Sequence, residues 1–279
     1  MSDLVTLEGL HALKHAVRFG AEIAEIVTDD LARALDTADQ VAPDLRLLLE
    51  QRASVITPTR FREMARQPVH THLLARATRP TWTLRQALPT ADHPTILLDD
   101  PRNSKNLGAV VRVGAAASAA GLLVNGQVDV CDPMAVRGAA GLQWALPFWA
   151  SSTLLPELDE ALPPSQPHVT GVPTRHNAVK LRHEAFQGER TRLIGLDADG
   201  EPLDPTIPGP IIFAFGSERT GLSEAVRGRC DAICSLPMAP GVSSLNLATA
   251  VSAVLYVTRF ARARAAASGA SIKTRSTYS

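Results

Sequence analysis

Leu236-Pro237-Met238-Ala239-Pro240-Gly241-Val242-Ser243-Ser244-Leu245-Asn246-Leu247 is the stretch around which this chain reads. Its prolines and glycine interrupt regular structure. A polar Ser-Ser-Leu-Asn step follows, then an apolar run to about Phe260 that predicts a helix over 245–267. Ser243 or Ser244 can cap that helix by accepting a hydrogen bond from a free N–H of its first turn. A loop of this kind offers backbone donors and carbonyls to whatever lies against it. By itself it is equally an ordinary capped helix after a tight turn, so its meaning depends on the rest of the chain.

The chain has 279 residues, enough for two domains. A hydrophobic content of 45% describes a soluble globular protein. No uncharged apolar run reaches the length of a membrane span, and the N-terminus lacks a secretory pattern. Three cysteines, Cys131, Cys230 and Cys234, argue against a disulfide framework and for a reducing cytoplasm. No Cys/His pair completes a metal set with them, so they are read as small buried apolar residues and no metal is expected. Net charge is zero, but seven arginines between Arg52 and Arg85 face one acid, Glu63. A second basic group, Arg259, Arg262, Arg264, Lys273 and Arg275, contains no acid. Such local basicity suits a polyanionic partner.

Taken in order, the periodicity predicts an amphipathic helix over 4–19 stopped by Gly20. A strand over 22–28 follows, then a helix over 31–35 capped by Asp29 or Asp30. Next come a helix over 43–51, a strand over 54–57, a helix from Thr57-Pro58 to about Ala65, and a strand over 72–77. This is a small α/β domain. The Pro-rich 78–93 region reads as a linker. Beyond it the reading is a strand over 95–98, a loop over 99–105, a helix over 106–120 and a strand over 121–124. Further strands are expected over 148–151, 169–172, 192–196, 211–215 and 233–235. Continuous apolar strands such as Ile211-Ile212-Phe213-Ala214-Phe215 suit a sheet covered on both faces. The common dinucleotide, triphosphate, zinc-protease and hydrolase motifs are absent from the sequence.

Two further polar islands accompany the opening loop. Asn103 to Arg112 lies where a strand hands over to a helix, the usual ligand position in α/β sheets. Asn106 and Arg112 are nearly two helical turns apart and so share a general direction. Arg112 sits in an apolar run, where its guanidinium needs a ligand anion or a local acid as partner. The second island is Gly216-Ser217-Glu218-Arg219-Thr220-Gly221, whose two glycines permit close backbone approach. A turn into a helix capped by Ser223 is the plain alternative.

Together the islands resemble the three motifs of the SpoU/TrmH family of RNA ribose 2′-O-methyltransferases, in the SPOUT superfamily. The matching positions are Asn106-x-Gly108-x-x-x-Arg112, Gly216-x-Glu218-x-x-Gly221, and Leu236-Pro237-Met238 through Ser244-Leu245-Asn246. Val136 to Gly141 resembles a further family stretch that usually carries a serine, which this chain lacks. After Asn246 the family commonly has Val-Ser where this chain has Leu247-Ala248. The segment Leu7-Glu8-Gly9 followed by 12–17 resembles the ribosomal-protein-like substrate-binding domain attached to many rRNA members.

The resemblance implies an α/β SPOUT domain over 95–267 with a deep trefoil knot, an RNA substrate-binding domain over 1–80, a linker over 81–94 and a tail over 268–279. It implies a cytoplasmic homodimer that transfers methyl groups from S-adenosyl-L-methionine to RNA. Cofactor contacts would fall on Gly216, Leu236, Met238 and Leu245. Catalysis would involve Arg112 as base or as phosphate anchor, Asn106 on ribose or phosphate, Glu218 fixing Arg112 or a nearby donor, and Ser244 with Asn246 lining the methyl-transfer pocket. The N-terminal domain favours rRNA over tRNA, and family habit favours 23S rRNA as substrate; some relatives make such a modification for antibiotic resistance, which composition does not decide. A tRNA 2′-O-methyltransferase, a base-nitrogen methyltransferase and a non-catalytic RNA-binding protein are the alternatives.

Overall fold

The computed structural model describes residues 3–66, 68–162 and 190–275, so the strand expected over 169–172 lies outside the described residues. The chain forms two compact units that are not contiguous in sequence. The first gathers Met1–Trp82, Asn103–Arg112 and Asp129–Pro147; the second gathers Thr83–Arg102, Val113–Val128 and Phe148–Ser279.

In the first unit, β1 (Leu4–Glu8), β2 (Ile23–Thr28), β3 (Ala53–Val55) and β4 (Leu73–Thr78) form a sheet in the order β1-β4-β2-β3. β4 is antiparallel to both neighbours, and β3 lies parallel to β2 at the edge. The helix expected over 4–19 is instead β1 followed by α1 (Leu10–Arg18). Leu7, Leu10 and Leu13 fit a helical period, but Val5 and Leu7 are buried while Leu4, Thr6 and Glu8 are less so, the two-residue period of a strand. Pairing with β4 decides the matter, and Gly9, at φ +88°, turns the chain into the helix.

The other local expectations hold with shifted ends. Asp30 caps α2 (Leu31–Val41), its carboxylate accepting from Arg33 N–H. A 3-10 turn, Pro43–Leu45, runs into α3 (Arg46–Arg52). Thr57 caps α4 (Pro58–Met64), with Pro58 in the first turn. Leu7, Leu13, Ile26, Leu45 and Leu49 are fully buried here, each worth about 1.5–3 kcal/mol of apolar transfer.

The first unit also holds the start of α5 (Ser104–Ala116), α6 (Pro133–Ala139) and the 3-10 turn Leu142–Trp144. Arg79 donates two hydrogen bonds to Asp129, at 2.8 and 2.7 Å, and Asp129 also accepts from Cys131 N–H. These donors, Arg79 foremost, hold the Asp129 carboxyl below its ordinary range against the opposing cost of burial. A depressed native pKa stabilises the fold above the unfolded value near 4 and loses that contribution as pH falls through the native value. Asp129→Asn is therefore expected to cost about 1–2 kcal/mol at pH 7. The gap from wild type in thermal unfolding should shrink steadily as pH drops below about 4.

In the second unit, six strands form a wholly parallel sheet in the order β10-β8-β9-β5-β6-β7. They are β5 (Thr95–Asp99), β6 (Gly121–Asn125), β7 (Phe148–Ser151), β8 (Arg192–Pro202), β9 (Ile211–Phe215) and β10 (Ala232–Ser235). β5 and β9 are buried along their whole length, as the unbroken apolar run of β9 predicts. Helices α7 (Leu154–Ala161), α8 (Glu224–Arg227) and α9 (Leu247–Arg275) complete the unit. Within the Pro-rich linker region, Thr83 and Gln86 form a capping box on a 3-10 turn, Leu84–Ala87.

Arg262 of α9, counted in the sequence as part of a basic surface, has a structural role instead. Its guanidinium donates to the carbonyls of Ala91 (2.8 Å), Gly209 (2.9 Å) and Ile207 (3.3 Å). Arg262→Met removes these donors and orphans partly buried carbonyls, so we expect a loss of about 1–3 kcal/mol. Denaturant titration measures it, and an unchanged midpoint would refute the assignment.

Candidate functional site

Parallel strands expose all their C-terminal ends on one side of a sheet, where α/β proteins bind ligands. In the second unit that edge carries Asp99 at the end of β5, Asn125 at the end of β6, the Gly216 loop after β9 and the Leu236 loop after β10.

The Gly216 loop is pinched shut. Ser217 and Gly221 exchange two backbone hydrogen bonds at 3.1 and 3.0 Å, and the Ser217 and Thr220 hydroxyls lie 2.7 Å apart. Gly221 adopts φ +67°, which glycine tolerates at no cost. A Cβ on Gly216 would meet the Gly221 carbonyl carbon at 1.9 Å and Leu222 N at 2.2 Å. Glycine is therefore required by close backbone approach. Gly216 is half-buried and Glu218 is exposed at the loop's tip. Ser223 caps α8, accepting from Val226 N–H, so the turn offered as the plain alternative is present.

In the third island, Leu236 and Met238 are half-buried, while Ser243, Ser244, Leu245 and Asn246 are exposed. Neither serine caps the final helix. Asn246 does, its Oδ1 accepting from Ala248 N–H (3.0 Å) and Thr249 N–H (3.4 Å). The helix starts later than expected because Leu247 and Ala248 are the first buried residues of its apolar run, which moves the cap to the residue before them.

Asn106 and Arg112 group with the first unit. The helix holding them begins at Ser104, since Asn103 Oδ1 accepts from Lys105 and Asn106 N–H and so caps it earlier than the expected start at 106. Six residues on one helix fall about 120° short of two full turns, so the two side chains do not share a face. Asn106 is half-buried and Arg112 exposed. Arg112 therefore needs no buried counter-ion, and no acid pairs with it among the described residues. The motif's Gly108 lets α5 meet α6, since a Cβ there would lie 2.3 Å from the Ala135 carbonyl oxygen.

Near Arg112 the field is positive. His15 donates from Nδ1 to the Ala140 carbonyl at 2.8 Å. Burial pushes its pKa down, and the charges of Lys14, His11 and Arg112 push it further. The larger basic stretch is partly neutralised: Arg60 pairs with Glu63, Arg76 with Glu25 and Arg79 with Asp129. Arg52, Arg62, Arg66 and Arg85 pair with no acid among the described residues.

Among the described residues no cluster could hold a metal ion. Burial raises the Cys131 and Cys230 thiols to about 12 and Cys234 to about 11, in keeping with an apolar structural role. No helix of the described residues is long and apolar enough to cross a membrane.

One polar residue at this edge was missed by the sequence reading. Asp99 is 3% exposed, at the end of an apolar strand. An acid closing a run expected to be buried was the available signal.

A wholly parallel sheet with polar loops at its C-terminal edge defines an α/β ligand-binding enzyme fold, and similarity narrows the class. The SpoU rRNA methylase family model matches residues 93–256, and the chain belongs to that family. Its relatives include the 23S rRNA (uridine(2479)-2′-O)-methyltransferase of Streptomyces viridochromogenes, 34% identical over 58% of this chain and 50% of that protein. This chain thus spans about half the length of that relative. An uncharacterized tRNA/rRNA methyltransferase of Mycobacterium leprae is 32% identical over 88% of this chain and 71% of its own. Among solved structures, the SpoU methyltransferase AviRb of S. viridochromogenes, crystallised with the cofactor AdoMet, superposes with a TM-score of 0.70 at 25% identity. That match covers 93% of this chain and 91% of AviRb.

Proposed function

We propose that this chain methylates a ribose 2′-hydroxyl of 23S rRNA, with S-adenosylmethionine as donor. The observation that carries the reading is the pinched Gly216 loop after β9, at the same C-terminal edge of one parallel sheet as the Leu236 loop after β10, within the region of family similarity. The fit to the cofactor is chemical. Half-buried Leu236 and Met238 and partly exposed Leu245 offer apolar surface to an adenosyl group, and the compact glycine loop offers backbone donors. Gly216, Leu236, Met238 and Leu245 would hold it. When bound, the sulfonium supplies an electrophilic methyl group for in-line displacement.

The protein's own part is then positioning and electrostatics. Arg112 holds the phosphate next to the target ribose, and its positive field lowers the hydroxyl's pKa. A free guanidinium, with a pKa above about 12, is a poor base, which favours the anchor role. Asn106 orients the ribose or phosphate, Glu218 fixes a neighbouring donor, and Ser244 and Asn246 line the pocket. Residues 1–80 supply the RNA-binding domain, using the arginines that have no acid partner. The same reading carries a knotted C-terminal domain, a homodimer and a cytoplasmic location.

A tRNA substrate is the second reading, supported by the tRNA/rRNA name of the mycobacterial relative. The test is to incubate the protein with labelled S-adenosylmethionine and separate 23S rRNA and tRNA pools, then digest to nucleosides. Label in a 2′-O-methyl nucleoside from 23S rRNA supports the proposal. Label on a base nitrogen, or none despite cofactor binding, overturns it.

A further inference from the structure

We propose that Asp99 is a positioning residue that locks the Gly216–Gly221 loop to the end of the sheet in its cofactor-receiving conformation; this rests on the cofactor reading above. Asp99 ends β5 and pairs in register with Asn125, the last residue of β6. Asn125 Nδ2 donates to Asp99 Oδ1 at 2.7 Å, and Ser223 N–H donates to Asp99 Oδ2 at 2.7 Å. The two carboxyl oxygens are thus divided between the neighbouring strand and the exit of the loop.

The exit matters because the loop is short and internally closed. Ser223 follows buried Leu222, which follows Gly221, the residue that bridges back to Ser217. Holding Ser223 N–H therefore fixes one end of the closed loop, while β9 fixes the other at Phe215. Ser223 N–H is a donor only, so this position requires an acceptor on that side. Asn125 presents its Nδ2 to the other oxygen, but its amide can turn to present Oδ1 instead. A buried donor left without an acceptor loses its interaction and keeps the cost of its desolvation.

Alanine at 99 removes both acceptors and leaves Ser223 N–H and the Asn125 amide without their partner. Asparagine at 99 is the conservative variant: its Oδ1 still accepts from Ser223 N–H, and its NH₂ donates to the Asn125 Oδ1 once that amide turns. The experiment compares wild type, D99A and D99N by calorimetric titration with S-adenosylmethionine and by amide hydrogen exchange across 216–223.

We expect D99A to bind the cofactor about tenfold more weakly, to raise its KM with kcat little changed, and to speed exchange of the loop amides. D99N should recover most of both. D99A with wild-type affinity and wild-type loop exchange overturns the proposal, as does D99N no better than D99A. Should D99A fail to fold, folded D99N with near-wild-type loop exchange still supports the clamp, and failure of both overturns it. If wild type itself binds no S-adenosylmethionine, the cofactor reading fails, and the positioning role toward it falls with it. Loop exchange then reports only whether the clamp exists.

Discussion

Arg112→Ala is expected to lower kcat/KM for methyl transfer about a hundredfold to a thousandfold while leaving S-adenosylmethionine affinity unchanged. The size follows from the charge it removes. A phosphate held by a guanidinium fork makes two charge-assisted hydrogen bonds and fixes the ribose for in-line attack. The stability of the fold should change by less than about 0.5 kcal/mol, because the side chain is exposed and pairs with no acid among the described residues. Arg112→Lys keeps the charge but not the fork, and should recover only part of the loss. Single-turnover methylation of 23S rRNA, with calorimetry for the cofactor, separates the terms. Arg112→Ala that still methylates at wild-type rate would exclude any essential role for this residue.

Gly216→Ala is expected to weaken S-adenosylmethionine binding about a hundredfold, roughly 2.7 kcal/mol. The added methyl would lie 1.9 Å from the Gly221 carbonyl carbon and 2.3 Å from its oxygen. Both atoms are backbone, so no side chain can turn aside, and the Ser217–Gly221 bridge must open. Gly228→Ala is the control, since its Cβ meets only the Glu224 carbonyl oxygen at 3.1 Å, and it should change affinity less than about twofold. Calorimetric titration decides. Gly216→Ala with affinity near that of the control would mean that the loop does not receive the cofactor.

Much of this protein was readable from its residues. The helix start at Thr57-Pro58 and the buried strand Ile211–Phe215 follow from local chemistry, and the structure bears them out; of Asp29 and Asp30, both offered as caps, Asp30 is the one used. The spacing of the three polar islands was enough to identify the family. The failures lie where a local pattern had two solutions. Residues 4–8 fit a helix or a strand, and only β4, some seventy positions away, selects the strand. Arg262 looked like surface charge because its three partners are carbonyls, which sequence cannot display.

What the sequence determined by itself is the apolar strands, several of the helix starts and the identity of the motif residues, since each depends on neighbours a few positions apart. Only the tertiary structure decided that Gly216 is sterically obligatory, that Asn246 rather than a serine caps the last helix, and that Asp99 is buried between two donors. The reason is physical: these facts depend on how closely backbones approach and where burial begins, and both are settled by packing between elements far apart in the chain.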